Sequence, residues 1–243
     1  MSYISIVSYL NSIPFIVGLE NSSLLERYRL KLELPFECAH SLYSGKSDIA
    51  LLPVGFLPKL KSYTIVSDYC IAADGRVKTV LLLSNKQLKE IKNIYLDYHS
   101  VTSVKLVRVL AKNFWQINPE WKQTLPENVN QIHEAAVVIG DKAFDLASKY
   151  KYAYDLADEW KSYTGLPFVF ACWVSIKELE KDVIAELNNA FRIGLDSIPK
   201  IAADYGTKYN LSQQEVYSYL TENIKYKLTP DMKKSMDKFI SML

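Results

Sequence analysis

The sequence is poor in the residues that build metal sites and disulfide frameworks. It has three cysteines and three histidines among 243 residues. Cys38, Cys70 and Cys172 are far apart and lie in apolar sequence, which predicts buried, reduced thiols. The histidines stand at no ligand spacing to one another or to cysteine, so we predict no metal.

Glycine-rich motifs and long apolar runs are missing as well. With eight glycines, neither GxGxxG nor GxxxxGK[ST] occurs, so no nucleotide cofactor is expected, and the usual hydrolase motif GxSxG is absent. No stretch approaches the roughly 20 apolar residues of a membrane span. The first apolar run follows no basic region and is broken by Asn11 and Pro14, so we expect no export signal and a cytoplasmic protein.

An excess of charge of either sign is also lacking. The chain has 29 Lys and Arg against 27 Asp and Glu, so bulk charge gives no reason to expect nucleic acid or a membrane as partner. Hydrophobic residues at 49% and charged residues at 23% are typical of a globular protein. The length fits one large domain or two lobes of about 100 to 150 residues.

What the sequence does contain is an alternation of short β-rich runs and amphipathic stretches, which predicts an α/β fold with mostly parallel sheet. Runs such as TVLLLS and AAVVIG are continuous and apolar, as in strands covered on both faces. From Glu178 onward the pattern is helical, with helix starts at Ser212 and Pro230. The predicted strands span residues 4–8, 31–35, 48–52, 79–84, 93–96, 136–139 and 168–174.

No linker or repeat divides the chain. One α/β unit, a second α/β unit and a helical tail together predict two lobes joined by crossing strands, with the tail returning to the first lobe. We assign residues 1–85 and 178–243 to the first lobe and residues 86–177 to the second. A single continuous doubly wound sheet is the alternative.

Small polar residues follow four of the predicted strands. Ligands of α/β proteins bind at the carboxyl ends of strands, and helix N-termini offer N–H donors to anions. The alternative for Asn11, Thr102 and Ser103 is a role as helix caps. His99 is either a catalytic base or a residue of a polar turn, and Asp141 is either a catalytic acid or a charge at a helix N-terminus. The residues alone predict a small-anion site with the candidates Asn11, Ser12, Pro53, Val54, Gly55, Asp97, Ser100, Thr102, Ser103, Gly140 and Asp141.

Six segments between Ser5 and Val174 carry a family resemblance: VSYLNSIPF, SDIALLPVGF, CIAADGRVKTVLLLS, YLDYHSVTSVKLVRVL, VIGDKA and YDLADEWKSYTGLPFVFACWV. In this order they resemble the chorismate dehydratases of the futalosine route to menaquinone. The resemblance implies a fold similar to type II periplasmic binding proteins. That fold has two α/β lobes with a ligand cleft between them, followed here by a helical C-terminal segment.

The resemblance also implies a lyase reaction, the dehydration of chorismate to 3-[(1-carboxyvinyl)oxy]benzoate without metal or organic cofactor. The family's active-site amide falls on Asn11, and a catalytic hydroxyl falls on Thr79, where serine is expected. Its LDxxSxTS motif falls on residues 96–103, with Val101 where arginine is common. The proton acceptor is either the substrate's own enolpyruvyl carboxylate or His99.

Two other functions fit the same residues. One is a non-catalytic cytoplasmic small-anion binding protein on the same fold. The other is a different enzyme of the menaquinone pathway that acts on a larger, futalosine-like ligand.

Overall fold

The computed structural model describes residues 2–97, 100–124 and 133–243. Within them the chain forms eleven strands. They are β1 Ser2–Val7, β2 Tyr28–Glu33, β3 Ile49–Pro53, β4 Thr64–Ala73, β5 Val80–Ser84, β6 Asn93–Leu96, β7 Glu120–Gln123, β8 Ala135–Ile139, β9 Tyr152–Asp155, β10 Phe168–Ser175 and β11 Lys225–Lys227.

The described chain also forms ten α-helices, and π-helical turns extend two of them at Ala111–Trp115 and Tyr219–Asn223. Three helices begin with a hydroxyl cap and one with a carboxylate cap. The helices are α1 Ile13–Glu20, α2 Leu24–Arg27, α3 Pro35–Tyr43, α4 Val101–Leu110, α5 Lys142–Leu146, α6 Leu156–Thr164, α7 Lys181–Asp196, α8 Ile198–Tyr205, α9 Gln213–Ser218 and α10 Pro230–Ser241.

The strands form two separate sheets, with the orders β11-β4-β10-β3-β1-β2 and β7-β6-β8-β5-β9. This excludes the single continuous sheet. Both sheets are mixed: β10 runs antiparallel to β3 and β4, and β5 runs antiparallel to β8 and β9. The prediction of mostly parallel sheet is wrong at these strands, because they are where the chain enters each sheet from the other one.

The chain passes from the first sheet to the second between Ala73 and Val80 and returns between Asp155 and Phe168. The expected lobe boundaries at 85/86 and 177/178 lie after these crossings. They leave β5 with the first lobe and β10 with the second. Strand pairing instead places β5 in the second sheet and β10 in the first. Both lobe boundaries therefore lie closer to the N-terminus than expected.

The C-terminal helices pack against the first sheet and its helices. Helix α7 crosses α1 so closely that a Cβ on Gly18 would lie 2.0 Å from the Ala190 carbonyl oxygen. The Phe191 ring of α7 packs against Phe15 of α1 and Trp173 of β10, with centroids 4.6 and 4.5 Å away. Strand β11 pairs with β4 at the edge of the same sheet. The tail therefore completes the core of the first lobe.

Candidate active site

A cleft with about 600 Å³ of open space, its mouth included, lies between the two sheets. The polar turns after β1, β3, β6 and β8 meet there, because paired parallel strands bring their carboxyl ends to the same edge of a sheet. Eight of the expected site residues line it: Asn11, Ser12, Pro53, Thr79, Ser100, Thr102, Ser103 and Gly140.

Asn11 lies on the 3₁₀ turn Leu10–Ser12, between β1 and α1. Its Oδ1 accepts a hydrogen bond from Ser12 Oγ at 3.1 Å, and its backbone carbonyl accepts one from the Tyr226 hydroxyl at 3.0 Å. In the described structure, neither the turn nor α1 receives a side-chain capping bond at its start. The role of Asn11 as a helix cap is therefore not supported, and its side chain lines the cavity.

Thr79 is the last residue of the first crossing segment and is 1% exposed. Its Oγ1 lies 2.8 Å from the Tyr219 hydroxyl and 3.5 Å from the Val77 carbonyl oxygen. Its own backbone carbonyl accepts a hydrogen bond from Gly140 N at 2.9 Å. Thr79 thus lines the cavity at the point where the two lobes join.

The first turn of α4 forms another wall of the cavity. Ser100 Oγ accepts a hydrogen bond from Ser103 N at 3.1 Å and caps the helix. Thr102 does not cap: its Oγ1 accepts from Gly55 N and donates to the Phe170 carbonyl, both at 3.1 Å. These bonds tie α4 to the first lobe, and the helix presents its positive dipole end to the cavity.

Four expected site residues lie behind the cavity wall and are not part of its lining. Val54 is fully buried in the core, and the Gly55 amide is bound to Thr102. Asp97, which is 3% exposed, forms an ion pair with Lys142. These three stabilise the turns that carry the lining residues.

Asp141, the fourth, links the lobes. Its Oδ1 and Oδ2 accept from the Leu10 backbone N–H at 3.0 and 3.3 Å, so α5 of the second lobe holds the turn that carries Asn11. Burial raises the pKa of Asp141 to about 6, against the opposing effects of the Leu10 hydrogen bond and the Lys208 charge.

The cavity is uncharged in the part of the chain that the structure describes. Tyr98 and His99 lie outside the described residues, so His99 as proton acceptor stays a prediction. Just behind the wall, Lys105 Nζ donates to the Gly55 carbonyl at 2.8 Å, and burial lowers the pKa of this lysine. Among the described residues no group of three or more His, Cys, Asp or Glu could hold a metal ion.

The sequence model of a family described as Menaquinone biosynthesis matches residues 3–243. The chain belongs to this menaquinone-biosynthesis family. Curated relatives include the chorismate dehydratase of Campylobacter jejuni subsp. jejuni serotype O:23/36 (strain 81-176), 26% identical over 96% of this chain and 94% of the relative. The chorismate dehydratase of Thermus thermophilus is 25% identical over 84% of this chain and 82% of the relative. The resemblance found in the six segments is confirmed.

Solved structures confirm the predicted fold. A protein from Archaeoglobus fulgidus matches with a TM-score of 0.81 and 14% identity over 99% of this chain and 95% of that chain. The periplasmic aliphatic sulphonate binding protein of Escherichia coli matches with a TM-score of 0.60 and 14% identity, over 99% and 85%. A Candida albicans protein described as having the generic periplasmic binding protein fold matches at 0.61 and 11% identity, over 98% and 90%.

Three aromatic residues at the site of this menaquinone-biosynthesis protein were not among the sequence candidates. Tyr9 and Phe170 line the cavity, and both lie inside the segments that carry the family resemblance, so those segments could have indicated them. Tyr219 lies behind Thr79 and comes from the helical tail, where no motif or spacing points to the site.

Proposed function

We propose that this chain is a chorismate dehydratase of menaquinone biosynthesis, a hydro-lyase that converts chorismate into 3-[(1-carboxyvinyl)oxy]benzoate and water. The observation that carries the proposal is a cavity at the junction of the lobes that is lined by Asn11 and Thr79 and by no charged side chain of the described residues. Two relatives that match over most of their length are chorismate dehydratases, which supports the same activity here.

The chemistry suits such a cavity. A ring proton leaves from the carbon that bears the enolpyruvyl ether, and hydroxide leaves from the neighbouring carbon. The electrons of the broken C–H bond form the last double bond of an aromatic ring, and the proton and hydroxide together make water. Because aromaticity supplies the driving force, the protein has mainly to orient the substrate and exclude bulk water.

We assign to Asn11 and Thr79 the hydrogen bonds that the substrate receives near its reacting carbons. The Asn11 amide and the Thr79 hydroxyl offer a donor and an acceptor without net charge. Preorganised neutral dipoles of this kind stabilise developing charge in a water-poor site. In this proposal the enolpyruvyl carboxylate of the substrate takes the ring proton, and His99 is the alternative acceptor.

The first turn of α4 is the place we assign to a substrate carboxylate. Ser100 and Ser103 line the cavity at the helix N-terminus, where backbone N–H groups and the helix dipole favour an anion. Lys105 adds a positive charge one turn further along the helix, behind the wall. These features support binding of an anionic substrate in a cavity where none of the described lining residues is a cation.

A cytoplasmic location stays a prediction of the sequence. The same holds for independence from metal, organic cofactor, nucleic acid and membrane. In the described ranges, every helix is too short or too polar to span a membrane.

The test is to mix purified protein with chorismate and follow the loss of its cyclohexadiene absorbance and the appearance of a substituted benzoate. We expect turnover by protein that has been exhaustively treated with chelator. Binding without turnover would favour the small-anion binding protein. Turnover of a futalosine-like ligand alone would favour another enzyme of the pathway, and activity that returns only with a divalent ion would contradict the metal-free mechanism.

A further inference from the structure

The Tyr219 hydroxyl lies directly behind the two polar side chains assigned to the reaction. It is 2.8 Å from Thr79 Oγ1, and a contact with the Asn11 side chain acts to lower the pKa of Tyr219, which burial raises. Tyr219 is 1% exposed and lies outside the cavity lining. It is therefore placed to act on the substrate through Thr79.

The surrounding bonds make Thr79 the group that depends on Tyr219. Asn11 has a partner of its own, because Ser12 Oγ donates to its Oδ1 at 3.1 Å. The second contact of Thr79 Oγ1, to the Val77 carbonyl at 3.5 Å, is at the outer limit of a hydrogen bond. The bond to Tyr219 is therefore the interaction that fixes the direction of the Thr79 hydroxyl.

The tyrosine ring is held in place independently of its hydroxyl. It packs edge to face on Phe144 of α5, with centroids 5.2 Å apart. Tyr219 opens the π-helical turn that ends at Asn223, whose Nδ2 donates to the Arg76 carbonyl at 3.0 Å and ties the turn to the first crossing segment. Such π-helical turns occur often at functional sites. A phenylalanine at position 219 would therefore keep the packing and lose only the hydroxyl.

We propose that Tyr219 is a positioning residue for the dehydration, whose hydroxyl orients Thr79 toward the reacting carbons. This proposal rests on the proposed function. It connects the C-terminal tail, which packs on the first lobe, to chemistry at the lobe junction. Because the carboxylate contacts assigned to α4 are separate, loss of the hydroxyl should affect the chemical step and spare substrate binding.

The first experiment is Tyr219→Phe in the full-length protein. We expect kcat to fall about tenfold or more while KM stays within about threefold of the parent. The matched control is Ser235→Ala. It removes another buried bond of the tail, the one that Ser235 Oγ accepts from Trp160 Nε1 at 2.9 Å, and neither residue belongs to the cavity lining. It should lower the melting temperature and leave kcat unchanged.

The second experiment is a double-mutant cycle with Thr79. Thr79→Ser should retain turnover because it keeps the hydroxyl, and Thr79→Val should lose most of it. In the Thr79→Val background, Tyr219→Phe should lower kcat by less than about threefold, because the group it orients is already gone. Fully additive losses, a change in KM alone, or normal kcat in Tyr219→Phe would overturn the proposal. A parent protein that fails to convert chorismate would contradict the proposed function itself.

Discussion

At the scale of single residues, the site depends on neutral polar groups with defined partners. Asn11 Oδ1 accepts a hydrogen bond from Ser12 Oγ, its backbone carbonyl accepts one from the Tyr226 hydroxyl, and its side chain caps no helix. These bonds hold Asn11 in place while its side chain lines the cavity. A residue held in this way is preorganised for a ligand, and its removal should affect catalysis more than folding.

Asn11→Ala should lower kcat by an amount corresponding to about 2 to 4 kcal/mol. The free energy of unfolding should fall by only about 1 kcal/mol, the typical net value of one hydrogen bond. Steady-state kinetics and thermal unfolding measure the two effects. The control is Asn21→Ala at the other end of α1, where an exposed asparagine loses a bond to the Val17 carbonyl. A collapsed melting temperature with normal turnover by the folded fraction would identify Asn11 as structural.

Asp141 provides a pH dependence whose sign follows from its raised pKa. Its pKa is about 6 in the folded protein, against about 3.9 in an unfolded chain. Between these values the folded state binds the proton and the unfolded state does not. This contribution to stability is therefore fully present below about pH 4 and is lost as the pH rises through 6.

Asp141→Asn should remove that dependence, which amounts to on the order of 2 to 3 kcal/mol. The measurement is chemical unfolding of parent and variant at pH 4.5 and pH 7.5. The parent should gain more stability on acidification than the variant does. Asp145→Asn, an exposed carboxylate on the same helix, controls for the loss of charge. Equal pH responses in parent and Asp141→Asn would show that Asp141 titrates normally.

At the scale of elements, Thr102 and Ser103 in the first turn of α4 both line the cavity but have different partners. The Thr102 hydroxyl joins the Gly55 amide to the Phe170 carbonyl, a tie between α4 and the first lobe. Thr102→Val should lower the free energy of unfolding by about 1 to 3 kcal/mol, because two buried backbone groups lose their partner. Ser103→Ala should raise KM severalfold with little change in stability. A raised KM for Thr102→Val at unchanged stability would instead show that the Thr102 hydroxyl serves substrate binding and not the stability of the fold.

Strand position explains which elements the sequence could predict. All seven predicted strands overlap an observed strand, and the four that the sequence missed are β4, β7, β9 and β11. Three of these lie at sheet edges, where one side is open and short polar segments such as KYK suffice. The fourth, β4, is interior, but its exposed Asp68 interrupts the apolar pattern. Predicted β2 is displaced because Pro35 already begins α3.

At the scale of the whole molecule, the cleft is assembled by contacts far apart in sequence. The two crossing segments are joined where Lys78 N donates to Asp155 Oδ2 at 2.7 Å. The strand ends that carry Asn11 and Ser103 could be predicted, because a local pattern marks each of them. The bond between Thr79 and Tyr219 spans 140 positions, and no local pattern encodes such a contact. The contribution of the tail to the site therefore emerges only from the folded chain.

The two lobes also meet directly across the cleft, where Tyr9 of the first lobe packs on Gly140 of the second. Gly140 has φ +68°, and a Cβ there would lie 2.9 Å from Tyr9 Cε1. A side chain at position 140 must therefore displace the Tyr9 ring, which lines the cavity, or separate the lobes. Overpacking of this kind typically costs about 1 to 3 kcal/mol.

Gly140→Ala should accordingly raise KM for chorismate by about five- to a hundredfold. The added methyl group destabilises the closed arrangement of the two lobes, which is the one that encloses the substrate. Gly45→Ala is the matched control: its φ of +72° imposes the same backbone strain, but nothing lies within 4 Å of the added Cβ. It should lose about 1 kcal/mol of stability and keep normal kinetics. Small-angle scattering with and without chorismate should show a larger radius of gyration for Gly140→Ala than for Gly45→Ala. If both variants bind and turn over chorismate alike, the Tyr9 ring moves without penalty, and its contact with Gly140 does not control how the lobes close.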